Sequence, residues 1–161
     1  MGGGALVLLR HGESEFNAAG VFTGLLDVDV TERGREQAAL GARLLEAAGL
    51  APERTWTSPM RRAAATTEIL ARELGLDPAT VTPSWRLAER DYGSLTGVAK
   101  AEARERLGPE GYIAMRRTLE GSPGPVTEEQ RAAWPAAPYV EEGSGLPTPG
   151  AGETLLEVMD R

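Results

Sequence analysis

Arginine and histidine stand together where an apolar run stops. Leu6-Val7-Leu8-Leu9 is followed by Arg10-His11-Gly12, and His11 is the only histidine in the 161 residues. A guanidinium at the end of a buried strand is costly without a partner. Phosphate is the economical partner. Arg10 offers paired, planar donors to its oxygens, and the neighbouring imidazole is a competent covalent nucleophile toward phosphorus. Ser14 and Asn17 follow closely and add small polar groups.

Three further clusters repeat the theme. In Phe22-Thr23-Gly24 a hydroxyl and a glycine let backbone donors approach an oxyanion. In Thr57-Ser58-Pro59-Met60-Arg61-Arg62-Ala63, Arg62 falls on the first turn of an expected helix, whose N-terminus favours anions. Glu89-Arg90-Asp91-Tyr92-Gly93 sets a glutamate among arginines with a tyrosine nearby, and Lys100 and the pair Arg116-Arg117 lie downstream. Singly, each has an ordinary use. The arginines suit a solvated helix face, Glu89 suits a surface pair with Arg86 or Arg90, and His11 suits a hydrogen-bonded interior position. Combined in this order they describe a site for a phosphorylated anion.

Alternating strands and helices must position these residues. Residues 5–9 read as a buried strand, and 12–30 as a loop. Thr31 caps a helix running to about Ala48, with Gly49 as its stop. Residues 54–57 read as a second strand. Ser58 as N-cap and Pro59 at the first helical position then start a helix that ends at Gly75. Its expected inner face is Met60, Ala63, Ala64, Thr67, Leu70 and Leu74. A third strand is expected at 81–85, and helices at 96–107 and 110–119 on either side of Gly108-Pro109. More than a third of residues 121–152 are glycine or proline, which predicts a long loop. From Gly152 to Arg161 a helix begins, with an apolar stripe at Leu155, Leu156 and Met159. The alternation implies one α/β domain with a sheet covered on both faces.

Composition narrows the function classes. Hydrophobic residues make up 41% and charged residues 25%, close to the globular average. The absence of cysteine removes disulfide scaffolds and thiolate metal sites, and a single histidine argues against zinc. A formal net charge of −7 disfavours nucleic-acid binding, so an anion site must be built locally from converging cations. No basic leader and no apolar run of about 20 residues is present, so a cytoplasmic location without membrane association is expected.

Taken together, the segments L-R-H-G-E-S-E-F-N, F-T-G-L-L-D-V-D-V-T-E-R-G, T-S-P-M-R-R-A, W-R-L-A-E-R-D-Y-G-S-L-T-G, K-A-E, M-R-R and E-T-L-L-E-V-M-D-R resemble the cofactor-dependent phosphoglycerate mutase family, within the histidine phosphatase superfamily. The resemblance runs from Leu6 to Arg161, and the segment from Trp85 to Lys100 with Arg116-Arg117 is its most discriminating part. It implies a three-layer α/β fold with a mostly parallel sheet and helices on both faces. It also implies that His11 becomes a phosphohistidine, with Glu89 as general acid/base for the substrate hydroxyl. Arg10 and Arg62 would clamp the transferring phosphoryl group, with Ser14 and Asn17 adding donors. Thr23, Gly24, Arg90, Tyr92, Lys100, Arg116 and Arg117 would hold the glycerate carboxylate and second phosphate. The implied reaction is the interconversion of 2- and 3-phosphoglycerate, primed by 2,3-bisphosphoglycerate without a metal. Its partners would be small phosphorylated metabolites, with homo-oligomerisation left open.

The sequence departs from the family in four places. The family's second histidine, in a downstream A-H-G segment, has no counterpart, so the chain reads as C-terminally incomplete relative to the family, without its last strand and helix layer. Losing one preorganised donor of that kind costs about 3–4 kcal/mol, or roughly 10²–10³ in rate. Phe16 and Met115 replace tryptophans, a swap of bulky apolar groups. Asp91, where a histidine is common, is expected to set a negative charge beside an anion site and weaken binding. Two alternatives follow: a phosphomonoesterase of the same superfamily, and an inactive module that binds phosphometabolites.

Overall fold

The structure is a computed structural model, described here for residues 4–133 and 150–161. It is α/β, with a small parallel sheet and helices packed beside it. Helix α1 (Glu15–Ala18) is followed by α2 (Glu32–Ala47), strand β1 (Thr55–Thr57), α3 (Arg61–Leu74) and strand β2 (Val81–Pro83). Beyond these come α4 (Lys100–Arg117), α5 (Glu128–Ala132) and α6 (Leu155–Asp160). The strands pair in parallel with Thr55 opposite Val81 and Thr57 opposite Pro83. Helix α3 connects them and packs against both β1 and α2. Among the described residues no helix is long and apolar enough to cross a membrane.

Local chemistry explains most boundaries. Thr31 caps α2 by accepting the Gly34 amide at 3.1 Å, as its sequence predicts. Helix α3 starts three residues after Ser58, and no side chain of its own caps it. The cap is remote: the Asp27 carboxylate accepts the Arg61 amide at 2.7 Å. The buried stripe of α3 is Arg62, Thr66, Ile69 and Leu70; of the expected face, Met60 and Leu70 are buried while Ala63, Ala64, Thr67 and Leu74 are half-buried. The two helices expected at 96–107 and 110–119 form one kinked helix, α4. Gly108 takes φ 67° and ψ 167°, and Pro109 restarts the helix beyond it.

Four expectations need correcting. Residues 5–9 form no strand, and Leu6 and Leu8 are 86% and 87% exposed. An apolar run supplies strand propensity, but a buried strand also needs hydrogen-bonding neighbours, and none pairs with this run among the described residues. The loop expected at 12–30 contains α1, because Ser14 and Asn17 cap it reciprocally. The expected loop at 121–152 contains α5, which Thr127 and Gln130 cap in the same way; residues 134–149 lie outside those described. In α6 the expected apolar stripe is largely exposed at Leu156 and Met159.

Two apolar clusters lie beneath the site. Phe22, Leu95, Ala103 and Met115 pack with Tyr92, Val98 and Tyr112, while Leu25, Met60 and Ala88 form the second. Met115 thus takes the bulky apolar place that its sequence position implied. Backbone bonds from Phe22 N–H to Val98 C=O and from Lys100 N–H to Gly20 C=O hold the Thr23-Gly24 turn beside the start of α4.

His11 is carried into place by a close backbone crossing. A Cβ on Gly12 would overlap the Gly34 carbonyl, and one on Gly34 would overlap the Glu13 carbonyl. Both groups are backbone and cannot swing aside. Gly12→Ala is expected to lower stability by about 3 kcal/mol or more, read as a fall in the urea midpoint at unchanged m-value.

Candidate active site

The segment bearing His11 docks on α3 through one hydroxyl. Thr66 Oγ1 accepts the Gly12 amide at 3.0 Å and donates to the Arg62 carbonyl at 2.7 Å. A single turn of α3 therefore fixes both His11 and Arg62. This role of Thr66 is not visible in the chain, because a helical threonine has no distinctive pattern.

Arg62 is 2% exposed. Its guanidinium donates to the carbonyls of Leu26 at 3.0 Å and Gly24 at 3.1 Å. These bonds use two of its five N–H donors. Burial lowers the pKa of this guanidinium, while Glu89 and Asp27 oppose the shift.

His11 is half-buried, and its Nδ1 lies 2.7 Å from the Gly12 carbonyl. Only Nδ1–H can donate there, so Nε2 keeps its lone pair. Burial lowers the imidazole pKa; the Gly12 bond opposes this, and the Arg62 and Arg10 charges add to it. The neutral form, which is the nucleophile, therefore persists to lower pH than in a free imidazole. Because His11 is the only histidine, its Cε1–H proton resonance can be followed without assignment. The expected midpoint lies below the ordinary histidine value. Folded-state stability should correspondingly fall as pH drops through the unfolded imidazole range.

His11, Arg62, Glu89, Arg90, Tyr92, Arg116 and Arg117 line one cleft of about 540 Å³. Arg10 and Lys100 are not part of that lining, but their charges reach it. Arg10 acts on His11, Arg62 and Lys100, and Lys100 feels Arg116 and Glu89. Lys100 has its pKa lowered by burial first, then by Arg116 and Arg10. Among the described residues, Arg10, Lys100, Arg116 and Arg117 form no ion pair with a carboxylate. Arg116 instead donates to Tyr112 Oη at 3.1 Å and lies over the Phe22 and Tyr112 rings. Cations gathered without carboxylate partners make an anion receptor.

The remaining expected site residues lie outside the cleft lining. Ser14 Oγ accepts the Asn17 amide at 3.2 Å, and Asn17 Oδ1 accepts the Ser14 amide at 3.3 Å, so both side chains cap α1. Thr23 and Gly24 are buried, and the Gly24 carbonyl binds Arg62. Arg90 spends three donors on the carbonyls of Glu153, Met115 and Gly121, at 2.6, 3.1 and 2.5 Å. It fastens the cleft wall as well as lining it. Burial raises the Tyr92 phenol pKa, with Glu89 adding to the shift.

Asp91 does not face the anion site, contrary to expectation. Its buried carboxylate accepts the amides of Gly93, Gly150 and Gly152 at 2.9, 2.7 and 3.1 Å. The charge is satisfied within the backbone and clips two loops together. Among the described residues no group of three or more His, Cys, Asp or Glu is arranged to hold a metal ion.

Comparison with known proteins gives this geometry a family. Residues 6–134 match the model of the histidine phosphatase superfamily, branch 1, and the chain belongs to that superfamily. Within it, the chain is similar to proteins named 2,3-bisphosphoglycerate-dependent phosphoglycerate mutase. It is 47% identical to that of Thermobifida fusca over 77% of this chain and 50% of the relative. It is 39% identical to that of Corynebacterium jeikeium over 98% of this chain and 61% of the relative. The chain thus spans about half to three fifths of the length of these relatives. Among solved structures, a mycobacterial glucosyl-3-phosphoglycerate phosphatase is 30% identical, with a TM-score of 0.57 over 68% of this chain and 49% of that one. A mycobacterial hydrolase with 24% identity and a TM-score of 0.64, covering 94% of this chain and 51% of that one, shares the fold.

Proposed function

We propose that this chain carries the phosphoryl-transfer half-site of a 2,3-bisphosphoglycerate-dependent phosphoglycerate mutase. The observation supporting this is His11 with Nδ1 committed to the Gly12 carbonyl and Nε2 left free, in a cleft lined by Arg62, Arg116, Arg117 and Glu89. Nε2 attacks phosphorus, the N–P bond forms and the ester P–O bond breaks. Glu89 gives its proton to the departing hydroxyl oxygen. In the return step Glu89 takes a proton from the accepting hydroxyl, and the phosphoryl group leaves His11 for the other glycerate oxygen. Phosphoryl transfer asks mainly for positioning and charge stabilisation. The unpaired arginines and Lys100 supply cations, and Arg62 retains donors for the equatorial oxygens.

The donor set suits a small molecule with two phosphates and a carboxylate, so 2,3-bisphosphoglycerate fits as the phosphoryl source. Arg62 and Arg10 would face the transferred group, and Lys100, Arg116 and Arg117 the remaining charges. When bound, it supplies the phosphoryl group that primes His11.

A phosphatase reading, with water as final acceptor, draws support from the likeness to the glucosyl-3-phosphoglycerate phosphatase. Product partition separates the two. With 3-phosphoglycerate and a trace of 2,3-bisphosphoglycerate, the mutase reading expects 2-phosphoglycerate to form faster than inorganic phosphate. The reverse order would establish the phosphatase, and ligand-induced thermal stabilisation without either product would indicate a binding module.

A further inference from the structure

The residues that deliver Glu89, Arg90 and Tyr92 to the cleft lie in a strap with little regular structure. A short 3-10 turn, Trp85–Leu87, leads into it, and another, Gly93–Leu95, follows it. The strap is held from behind by a buried ion pair. Arg161 Nη1 donates to the Arg86 carbonyl at 2.9 Å, and Nη2 donates to the Ala88 and Glu89 carbonyls at 2.8 and 3.3 Å. Arg161 Nε pairs with Glu153 Oε1 at 2.8 Å, and the two side chains are 6% and 1% exposed. Glu153 Oε2 accepts the Asp91 amide at 2.8 Å, and the Glu153 carbonyl accepts Arg90 Nε. The pair therefore grips the backbone on both sides of Glu89.

We infer that Glu153 and Arg161 are positioning residues for Glu89: their ion pair sets where its carboxylate stands in the cleft. The inference rests on the reading of Glu89 as general acid/base. A buried, hydrogen-bonded pair is an expensive way to stabilise a fold, but its fixed fork suits holding carbonyls in one geometry. A neutral solvent-facing loop could close the same turn. It could not fix the Arg86, Ala88 and Glu89 carbonyls and the Asp91 amide together. The position of Glu89 itself is reported by the Arg90 amide, which donates to Glu89 Oε1 at 3.0 Å.

The test uses the full chain with Glu153→Gln, which keeps the shape and removes the charge, and Arg161→Lys, which keeps the charge and removes the fork. Amide hydrogen exchange at Arg90 and Asp91 should accelerate about tenfold or more, while exchange in α2 stays unchanged and reports an intact fold. Turnover of 3-phosphoglycerate should fall about 10- to 100-fold in kcat, with KM changed less than about threefold. In a Glu89→Gln background the same substitutions should cost nothing further. Unchanged exchange at Arg90 and Asp91 would overturn the inference. An equal loss in the Glu89→Gln background would also overturn it, since the pair would then act on the fold at large. If the unaltered chain took up no phosphoryl group, the site reading itself would fall, and exchange alone would decide whether the pair holds Glu89.

Discussion

His11→Asn should abolish phosphoenzyme formation and lower turnover by a factor on the order of 10⁴–10⁶, the scale on which removal of a covalent nucleophile acts. Asparagine places its amide nitrogen near the position of Nδ1, so the bond to the Gly12 carbonyl is conserved. The free Nε2 is lost. Because His11 is half-buried and its one hydrogen bond is retained, stability should change by less than about 1 kcal/mol. The separation of the two effects is the point of the experiment. A variant that folds as before, binds 3-phosphoglycerate and takes up no phosphoryl group assigns the chemistry to the imidazole. Retained turnover would remove His11 from the mechanism.

Arg62→Ala should be damaging in two ways at once. The buried guanidinium donates to Leu26 and Gly24, and its loss strands two buried carbonyls. Each unsatisfied group costs about 1–3 kcal/mol, giving an expected loss of about 2–6 kcal/mol in urea unfolding. The Leu26 and Gly24 turn would loosen, and with it the wall beneath the cleft. Phosphoryl uptake by His11 should fall by roughly 10²–10³, the effect of removing one preorganised donor. Arg62→Lys separates the contributions. It restores the charge but not the fork, so it should recover part of the rate while the two carbonyls remain poorly served. Equal rates for the alanine and lysine variants would mean that the fork, and not the charge, carries the rate.

The legibility of this protein in its sequence follows the range of the interactions involved. Thr31 and Gly34 are three residues apart, and the cap of α2 is visible in the chain for that reason. The start of α3 is not visible. Ser58-Pro59 is a good local start signal, but the Asp27 carboxylate, 34 residues earlier, satisfies the Arg61 amide and places the boundary. Residues 5–9 have strand composition without strand partners, so propensity and structure part there. The chemistry-bearing types were legible because they are unusual: one histidine, a histidine-adjacent arginine, and arginines near one glutamate. Seven of the thirteen residues singled out line a common cleft. Those that hold the cleft in shape were not legible. Thr66 looks like an ordinary helix residue, and Glu153 and Arg161 bound a segment that carries the family resemblance without showing what they hold, until the fold brings the three against Gly12, Asp91 and Ala88. Asp91 shows the converse. A charge that sequence places beside an anion site is turned inward, because three backbone amides outcompete the cleft for it.

The central claim is that His11 accepts a phosphoryl group. Its most direct test is to incubate the purified chain with 2,3-bisphosphoglycerate, take the intact mass, and map the modified residue by fragmentation under alkaline conditions that preserve phosphohistidine. The expected result is one added phosphoryl group, located on His11 and lost on acidification. No added group, or one located on any other residue, would contradict the account.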